Sequence, residues 1–171
     1  MKRNIILLIT ILISINACKD NITDPSIDPP VEVKEMMGTW NFNANFSFNG
    51  TYYSFDITNA KIYVGNLLNS EWPFDFEATM RDLQLVCKKN DKVEWTVSLE
   101  NLNIEVSRAI IILVINFSVP TPFGDLLFDC ESGWNQDEIE RDSWKGEVFV
   151  DVPSTEILVD GVGNWKTERI E

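Results

Sequence analysis

Between residues 39 and 57 the chain alternates almost perfectly between apolar and polar side chains. Trp40, Phe42, Ala44, Phe46 and Phe48 share one parity, and asparagine or serine occupies each position between them. Such alternation predicts a half-buried β-strand, because successive side chains of a strand point to opposite faces. Asn49-Gly50 then separates this run from a second alternating run, which is the strongest short signal for a β-hairpin.

A two-residue turn at Asn49-Gly50 fixes the register of the predicted hairpin. It pairs Phe46 with Tyr53 and Phe42 with Ile57, so that apolar side chains face one another across the two strands. We therefore predict that the aromatic face is buried and that the asparagine face meets solvent or a partner. The large apolar residues become candidates for the interior of the domain: Trp40, Phe42, Phe46, Phe48, Tyr53 and Phe55.

The rest of the chain continues in short alternating segments with polar turns between them, and no helical period follows the first 17 residues. Residues 109–119 are apolar on both parities, which predicts a strand that is covered on both faces. Nine or ten short strands favour an all-β domain. The expected architecture is an antiparallel up-and-down barrel, and the alternative is a two-sheet β-sandwich.

The N-terminus has the layout of an export signal. Two basic residues precede an apolar run at positions 5–15, which is too short to span a bilayer. The run ends at Ala17-Cys18, and a small residue before a cysteine resembles the lipobox of bacterial lipoproteins. The resemblance implies that residues 1–17 are a signal peptide and that Cys18 becomes the lipidated first residue. The alternative is a soluble exported protein with an ordinary cleavage site.

Residues 18–35 are predicted to be the lipidated cysteine and a tether rich in Pro and Asp, and residues 36–171 a single all-β domain. Lys19-Asp20 is similar to the short charged signals of some Bacteroidetes lipoproteins. The resemblance implies an envelope protein that is anchored to the outer membrane through the lipid on Cys18. Both the periplasmic and the surface face remain open.

Gly38-Thr39-Trp40 opens the first strand, and this Gly-x-Trp start resembles the lipocalins and the wider calycin superfamily. The resemblance implies a barrel in which the tryptophan closes one end beneath a basic residue of the last strand. Lys166 and Arg169 are the candidates for that residue. The order of signal, cysteine, tether and Gly-x-Trp is similar to calycin-like lipoproteins of Bacteroidetes.

The amino-acid composition argues against several classes of partner and catalytic site. The formal charge of −13, from 27 acidic and 14 basic residues, argues against nucleic acid as a partner. Histidine is absent, which excludes Ser-His-Asp and Cys-His catalytic sites and histidine-based zinc sites. With no nucleophile beside a base, we predict a non-enzymatic protein without a cofactor.

Three further groups of residues are candidate sites. Cys87 and Cys130 are candidates for a disulfide, because an exported compartment permits one, and two buried free thiols are the alternative. Acidic residues crowd positions 129–142, where a solvated loop is favoured over calcium ligands or a glycosidase carboxylate pair, so no metal is predicted. Trp72 and Trp134 lie in turn-like segments and are candidates for exposed contacts.

Two hypotheses for function follow from the sequence. In the first, the calycin-like barrel holds a small apolar ligand. In the second, the domain is a structural or interaction module that contacts a partner protein or a glycan. Large residues lining the interior weigh toward the second hypothesis, because a small barrel can be filled by its own side chains.

Overall fold

Nine β-strands make up almost all of the chain that the structure describes. The structure is a computed structural model, and it describes residues 34–48, 52–69, 73–109, 112–132, 139–140, 143–152 and 161–170. The strands are β1 (Gly38–Phe48), β2 (Tyr53–Leu67), β3 (Phe74–Lys89), β4 (Lys92–Arg108), β5 (Leu113–Thr121), β6 (Gly124–Glu131), β7 (Ile139–Glu140), β8 (Ser143–Asp151) and β9 (Gly161–Arg169).

Eight of these strands close into a ring. Each pairs antiparallel with its neighbours in the order β6-β5-β4-β3-β2-β1-β9-β8, and the pairing of β6 with β8 completes the circle. The short β7 pairs only with β8, outside the ring. The domain is therefore a closed, eight-stranded, antiparallel up-and-down barrel, consistent with a calycin-like barrel. The predicted barrel is confirmed. The sandwich alternative is wrong, because every one of the eight strands pairs with a neighbour on each side and no break divides them into two sheets.

The first hairpin forms between the predicted strands, but its register differs from the prediction by two positions. Phe46 pairs with Phe55 and Ala44 with Ile57, whereas a two-residue turn would have paired Phe46 with Tyr53. A shift of two keeps every side chain on its own face, because the side-chain period of a strand is two. Tyr53 is consequently the first residue of β2, and its side chain is only partly buried.

Three consecutive strands change the parity of their buried face at one level of the barrel. The change falls at Thr58–Asn59 in β2, at Arg81–Asp82 in β3 and at Glu100–Asn101 in β4, where two successive residues are exposed. Asn59 and Asp82 have φ of 60° and 55°, a left-handed conformation that asparagine and aspartate tolerate. The alternating pattern of the sequence breaks at the same three places. A turn was predicted before Leu102, but β4 continues through this position, as β2 and β3 do through theirs.

Strand β5 begins later than the sequence pattern indicated. Residues 109–119 were expected to form a strand covered on both faces, whereas β5 is Leu113–Thr121 and buries one parity fully and the other partly. Ala109 donates its backbone N–H to the carbonyl of Ile112 at 2.8 Å, within the connection between β4 and β5. The apolar run therefore belongs partly to a connection and partly to a strand with one core face.

Aromatic rings from opposite walls meet inside the barrel. The ring centroid of Phe42 on β1 lies 5.9 Å from that of Phe117 on β5, and Phe46 on β1 lies 5.3 Å from Phe128 on β6. Phe117 and Phe128 stack at 4.5 Å. Of the six residues predicted to line the interior, five are buried: Trp40, Phe42, Phe46, Phe48 and Phe55. The interior at these levels is filled by side chains of the barrel itself.

Two glycines allow backbones to approach where a side chain would not fit. A Cβ on Gly163 of β9 would lie 1.9 Å from the carbonyl oxygen of Asn45, and one on Gly146 of β8 would lie 1.8 Å from that of Glu131. Both obstructing atoms belong to the backbone, so neither can rotate away. These positions hold β1 against β9 and β6 against β8, the contacts that complete the ring.

We expect Gly163→Ala to lower the free energy of unfolding by about 3 kcal/mol, because the methyl group must push β1 and β9 apart. Gly65→Ala on β2 is the matched control, since its Cβ would meet Glu77 at 3.2 Å and requires only a small shift. Its cost should stay below about 1 kcal/mol. Urea titration followed by tryptophan fluorescence compares the two, and equal costs would contradict the close approach of β1 and β9.

Candidate functional site

One end of the barrel is closed by a cluster around Trp40. The guanidinium carbon of Arg169 lies 4.3 Å from the centroid of the Trp40 ring, and the centroid of the Trp144 ring lies 3.6 Å from that of Trp40. The indole N–H of Trp40 donates to the carbonyl of Met36 at 2.9 Å. Of the two basic residues considered for this place, Arg169 covers the indole, whereas Lys166 points outward from β9.

Residues ahead of β1 also belong to this closed end. Arg169 donates one N–H to the carbonyl of Met37 at 2.9 Å and another to the carbonyl of Glu35. Met36 is 3% exposed. The packed domain therefore includes Glu35, which the sequence analysis had placed at the end of the tether. A tryptophan held on both faces and at its N–H is a structural group, so the chemistry of a ligand site must lie elsewhere.

A groove of about 790 Å³ crosses the outer surface of four neighbouring strands, β2, β1, β9 and β8. We call it the waist groove. The outward side chains and the backbone between them form its surface, with further contributions from the ends of β5 and β6. Its lining residues are Asn43, Ala44, Asn45, Asp56, Ile57, Thr58, Ile112, Glu131, Ser132, Lys145, Gly146, Glu147, Phe149, Asn164, Trp165 and Lys166.

Strand register brings three asparagines together in this groove. Asn45 on β1 pairs with Asn164 on β9 and with Asp56 on β2, and Asn43 pairs with Lys166. These side chains point outward because Ala44 and Trp165, which lie between them, are buried in the barrel. The alternation that fills the core with aromatic rings therefore also places an array of amides on the opposite face.

The amides offer hydrogen-bonding capacity that the domain leaves unused. Asn43 accepts the backbone N–H of Asn59 at 3.1 Å, which joins it to the bend in β2. Within the described part of the chain, the side chains of Asn45 and Asn164 have no hydrogen-bond partner. A primary amide carries two donors and an accepting oxygen. These two neighbours can therefore bind a ligand that both donates and accepts hydrogen bonds.

Charged groups stand on either side of the amides. Lys145 lies directly opposite Lys166, an arrangement that is unfavourable between like charges on adjacent strands. Lys166 forms an ion pair with Glu168 at 3.3 Å. Asp56 is engaged by Lys88 at 2.6 Å, and this hydrogen bond, together with the charge of Asp56, raises the pKa of Lys88. The groove thus presents ammonium, carboxylate and amide groups within one polar surface.

An aromatic ring stands at the edge of the groove. Phe149 on β8 is 39% exposed, and its cross-strand neighbour Val162 on β9 is 42% exposed. Exposed apolar side chains beside an array of amides give the groove one apolar contact surface. The asparagines of β1 were predicted from the sequence to face solvent or a partner, whereas the groove residues of β8 and β9 were not predicted to join them. Outward alternation in the last strand, at Asn164, Lys166 and Glu168, is the signal that could have found them.

Several predicted site residues lie outside the described residues or apart from the groove. Cys18, Trp72 and Trp134 fall outside the described residues. Of the acidic residues at positions 129–142, Asp129 and Glu131 lie on the outer face of β6. Among the described residues, no group of three or more Cys, Asp or Glu side chains is arranged to hold a metal ion.

The two candidate disulfide cysteines are free thiols. Cys87 lies on β3 and Cys130 on β6, and both are fully buried among apolar side chains. The predicted disulfide is therefore wrong for this structure, which has the alternative arrangement of two buried free thiols. Burial, with a smaller effect of Glu94, raises the pKa of Cys87 from 9.0 to about 11, and burial also raises that of Cys130.

In comparisons with known proteins, no family model matches the chain, and no curated protein or solved structure matches it either. The described residues contain no helix with the length and apolar character needed to cross a bilayer.

We expect both core thiols to be protected in the folded protein and released together on unfolding. With a pKa of about 11, roughly one Cys87 thiol in a thousand is ionised at pH 8, so Ellman's reagent should react slowly. In denaturant without reductant, both Cys87 and Cys130 should react at once. If either thiol fails to react in denaturant without reductant, that cysteine is in a disulfide.

The same pKa shift predicts that the free energy of unfolding falls at alkaline pH. The unfolded Cys87 thiol ionises near pH 9.0 and the folded one near 11, so stability is unaffected below this window. As the pH rises through it, the unfolded state loses protons first and the folded state is disfavoured.

Proposed function

We propose that this protein is a lipid-anchored, non-enzymatic protein of the outer membrane that binds a glycan in the waist groove. The observation that carries the proposal is that Asn45 and Asn164, whose amides have no partner among the described residues, pair across β1 and β9 on the outer face, while aromatic rings pack inside the barrel. Export and anchoring rest on the signal-like start and on Cys18, and the face of the membrane follows from neither.

The packed interior weighs against a small apolar ligand inside the barrel. A pocket for such a ligand usually has a volume of about 300–1,000 Å³. Here Phe42 meets Phe117 across the barrel and Phe46 meets Phe128, so a ligand between these walls must first separate the rings. The dispersion contacts that fill the barrel would be lost on ligand entry. The outer surface is the better candidate for recognition.

The groove suits a polyhydroxylated ligand because each of its groups matches a feature of a sugar. A hydroxyl group both donates and accepts hydrogen bonds, as do the amides of Asn45 and Asn164. The carboxylates accept from further hydroxyls and the lysines donate to them. Phe149 offers an apolar surface on which the C–H face of a sugar ring packs.

Charge favours a neutral glycan over a polyanion. The net charge of −13 repels a nucleic acid or a strongly acidic polymer at long range. Within the groove, Lys145 and Lys166 are balanced by carboxylates, including Glu147 and Glu131. We propose no catalysis, because the described lining residues place no nucleophile beside a base.

Binding of oligosaccharides tests the proposal. The full chain, purified in detergent from its own membrane, is applied to an array of neutral and acidic oligosaccharides, and the strongest hit is titrated by calorimetry. We expect Asn45→Ala and Asn164→Ala each to weaken binding about tenfold, because hydroxyl groups of the ligand then lose their partners. Asn101→Ala, at an exposed amide on β4 outside the groove, is the control and should bind normally.

The outcome also separates the two hypotheses for the ligand. If no oligosaccharide binds, while native mass spectrometry shows a lipid that co-purifies with the chain, the glycan proposal is wrong and an apolar ligand is supported.

The anchor has its own test. Cys18→Ala should abolish incorporation of labelled palmitate and release the chain from the membrane fraction, since a multiply acylated cysteine is what holds it there. Cys87→Ala leaves Cys18 intact and is the matched control, which should retain the label. Equal labelling of the wild type and of Cys18→Ala would contradict lipid attachment at this residue.

A further inference from the structure

Among the described residues, β6 and β8 share five residue pairs, and the shortest ladder of the ring joins β4 to β5. Four residue pairs connect these strands, from Glu105↔Asn116 to Arg108↔Leu113. The other edge of β4 pairs with β3 along its whole length, from Arg108 to Lys92. Residues 92–104 of β4 therefore present an edge that no strand of the described chain pairs with. We call this edge, with residues 117–121 of β5 across from it, the β4–β5 seam.

Apolar side chains accompany this open edge. Val97, Leu99 and Leu102 of β4 pack against the core but are only partly buried. On the other side of the seam, Pro120 of β5 has no N–H, which makes β5 a poor edge for pairing. An incoming strand would therefore add to β4, where backbone groups and alternating side-chain contacts are both available.

A pocket of about 530 Å³ opens where β4 and β5 diverge. It lies on β4, β5, β6 and the end of β8, and it shares no lining residue with the waist groove. Its lining contains three carboxylates and no lysine or arginine. The lining residues are Asn103, Ile104, Glu105, Asn116, Phe117, Ser118, Leu127, Phe128, Asp129 and Asp151.

One buried acceptor of this pocket lacks a donor, and carboxylates lie beside it. The side-chain oxygen of Asn116 is buried and has no hydrogen-bond partner. Asn116 pairs with Glu105 on β4 and with Asp129 on β6, which places two carboxylates beside it. Burial and the nearby charge of Asp151 raise the pKa of Asp129. A buried acceptor among crowded carboxylates is complementary to a cation with several N–H donors, which describes a guanidinium group.

We propose that the β4–β5 seam binds an extended, arginine-containing segment of a partner protein. The segment pairs with the free edge of β4 as an added strand, and its guanidinium enters the pocket between Glu105 and Asp129. The proposal is independent of the glycan site.

Charge complementarity selects this occupant over the alternatives. A second copy of the chain would bring the edge of its own β4, with Glu94, Glu100 and Glu105, against the same carboxylates. A bound metal ion is disfavoured because the described residues contain no cluster of ligands suited to one. A basic peptide supplies both the missing donors and the missing backbone partner.

The test uses three synthetic peptides of alternating valine and threonine that differ at one central residue. One carries arginine, one carries citrulline, which keeps the shape without the charge, and one carries glutamate. We expect the full chain to bind the arginine peptide at least about tenfold more tightly than the citrulline peptide, and not to bind the glutamate peptide. Asp129→Asn should remove most of that preference, whereas Asp125→Asn, outside the pocket on the same strand, should leave it unchanged.

Backbone pairing has a separate readout. In hydrogen–deuterium exchange, the arginine peptide should slow exchange across residues 97–103 of β4 and leave β1 and β9 unaffected. Equal affinity for the three peptides, or binding without protection of β4, would overturn the proposal. Peptide-sensitive dimerisation in analytical ultracentrifugation would overturn it in favour of a second copy. A circular dichroism melt of Asp129→Asn verifies that the variant folds.

Discussion

The structure depends on one constraint, the need to fill the inside of a closed ring with side chains from its own walls. Phe42 and Phe46 on β1 reach Phe117 and Phe128 on the opposite side, so the two walls are in direct contact. Every strand must therefore keep an apolar side chain on its inner parity at these levels. Because side chains alternate, every strand must also present its other parity outward, where polar residues collect. The proposed recognition of a glycan therefore uses the outer surface of the barrel.

Much of the fold follows from local pattern. Alternation from Trp40 to Phe48 is enough to predict β1 and its buried face, and the Gly-x-Trp start with a late basic residue indicates how the barrel end closes. The pattern does not contain the register of the first hairpin, since shifts of two positions preserve every inside and outside assignment. It also misleads at Glu100 and Asn101, where two successive polar residues indicate a turn but lie within β4.

The two candidate sites differ in how far sequence could have located them. The asparagines of β1 are visible in the printed chain, but their partners Asn164 and Lys166 become neighbours only once β9 pairs with β1. The acidic pocket needs still more information. Glu105, Asn116 and Asp129 are separated by long stretches of chain, and the pocket depends on where two strands diverge rather than on any pattern. A single sequence does not report such a divergence.

The short ladder between β4 and β5 has a consequence for the motions of the molecule. Among the described residues it is the shortest ladder in the ring, with four residue pairs against five between β6 and β8 and nine between β1 and β9. Regions with few backbone hydrogen bonds open at a lower free energy than the rest of a protein. When these two strands part, the remaining ladders still join all eight strands, so the ring opens into one continuous sheet in the order β5-β6-β8-β9-β1-β2-β3-β4. Full opening of the sheet would separate Phe42 from Phe117 and Phe46 from Phe128, so the aromatic contacts across the interior oppose the opening that the short ladder favours.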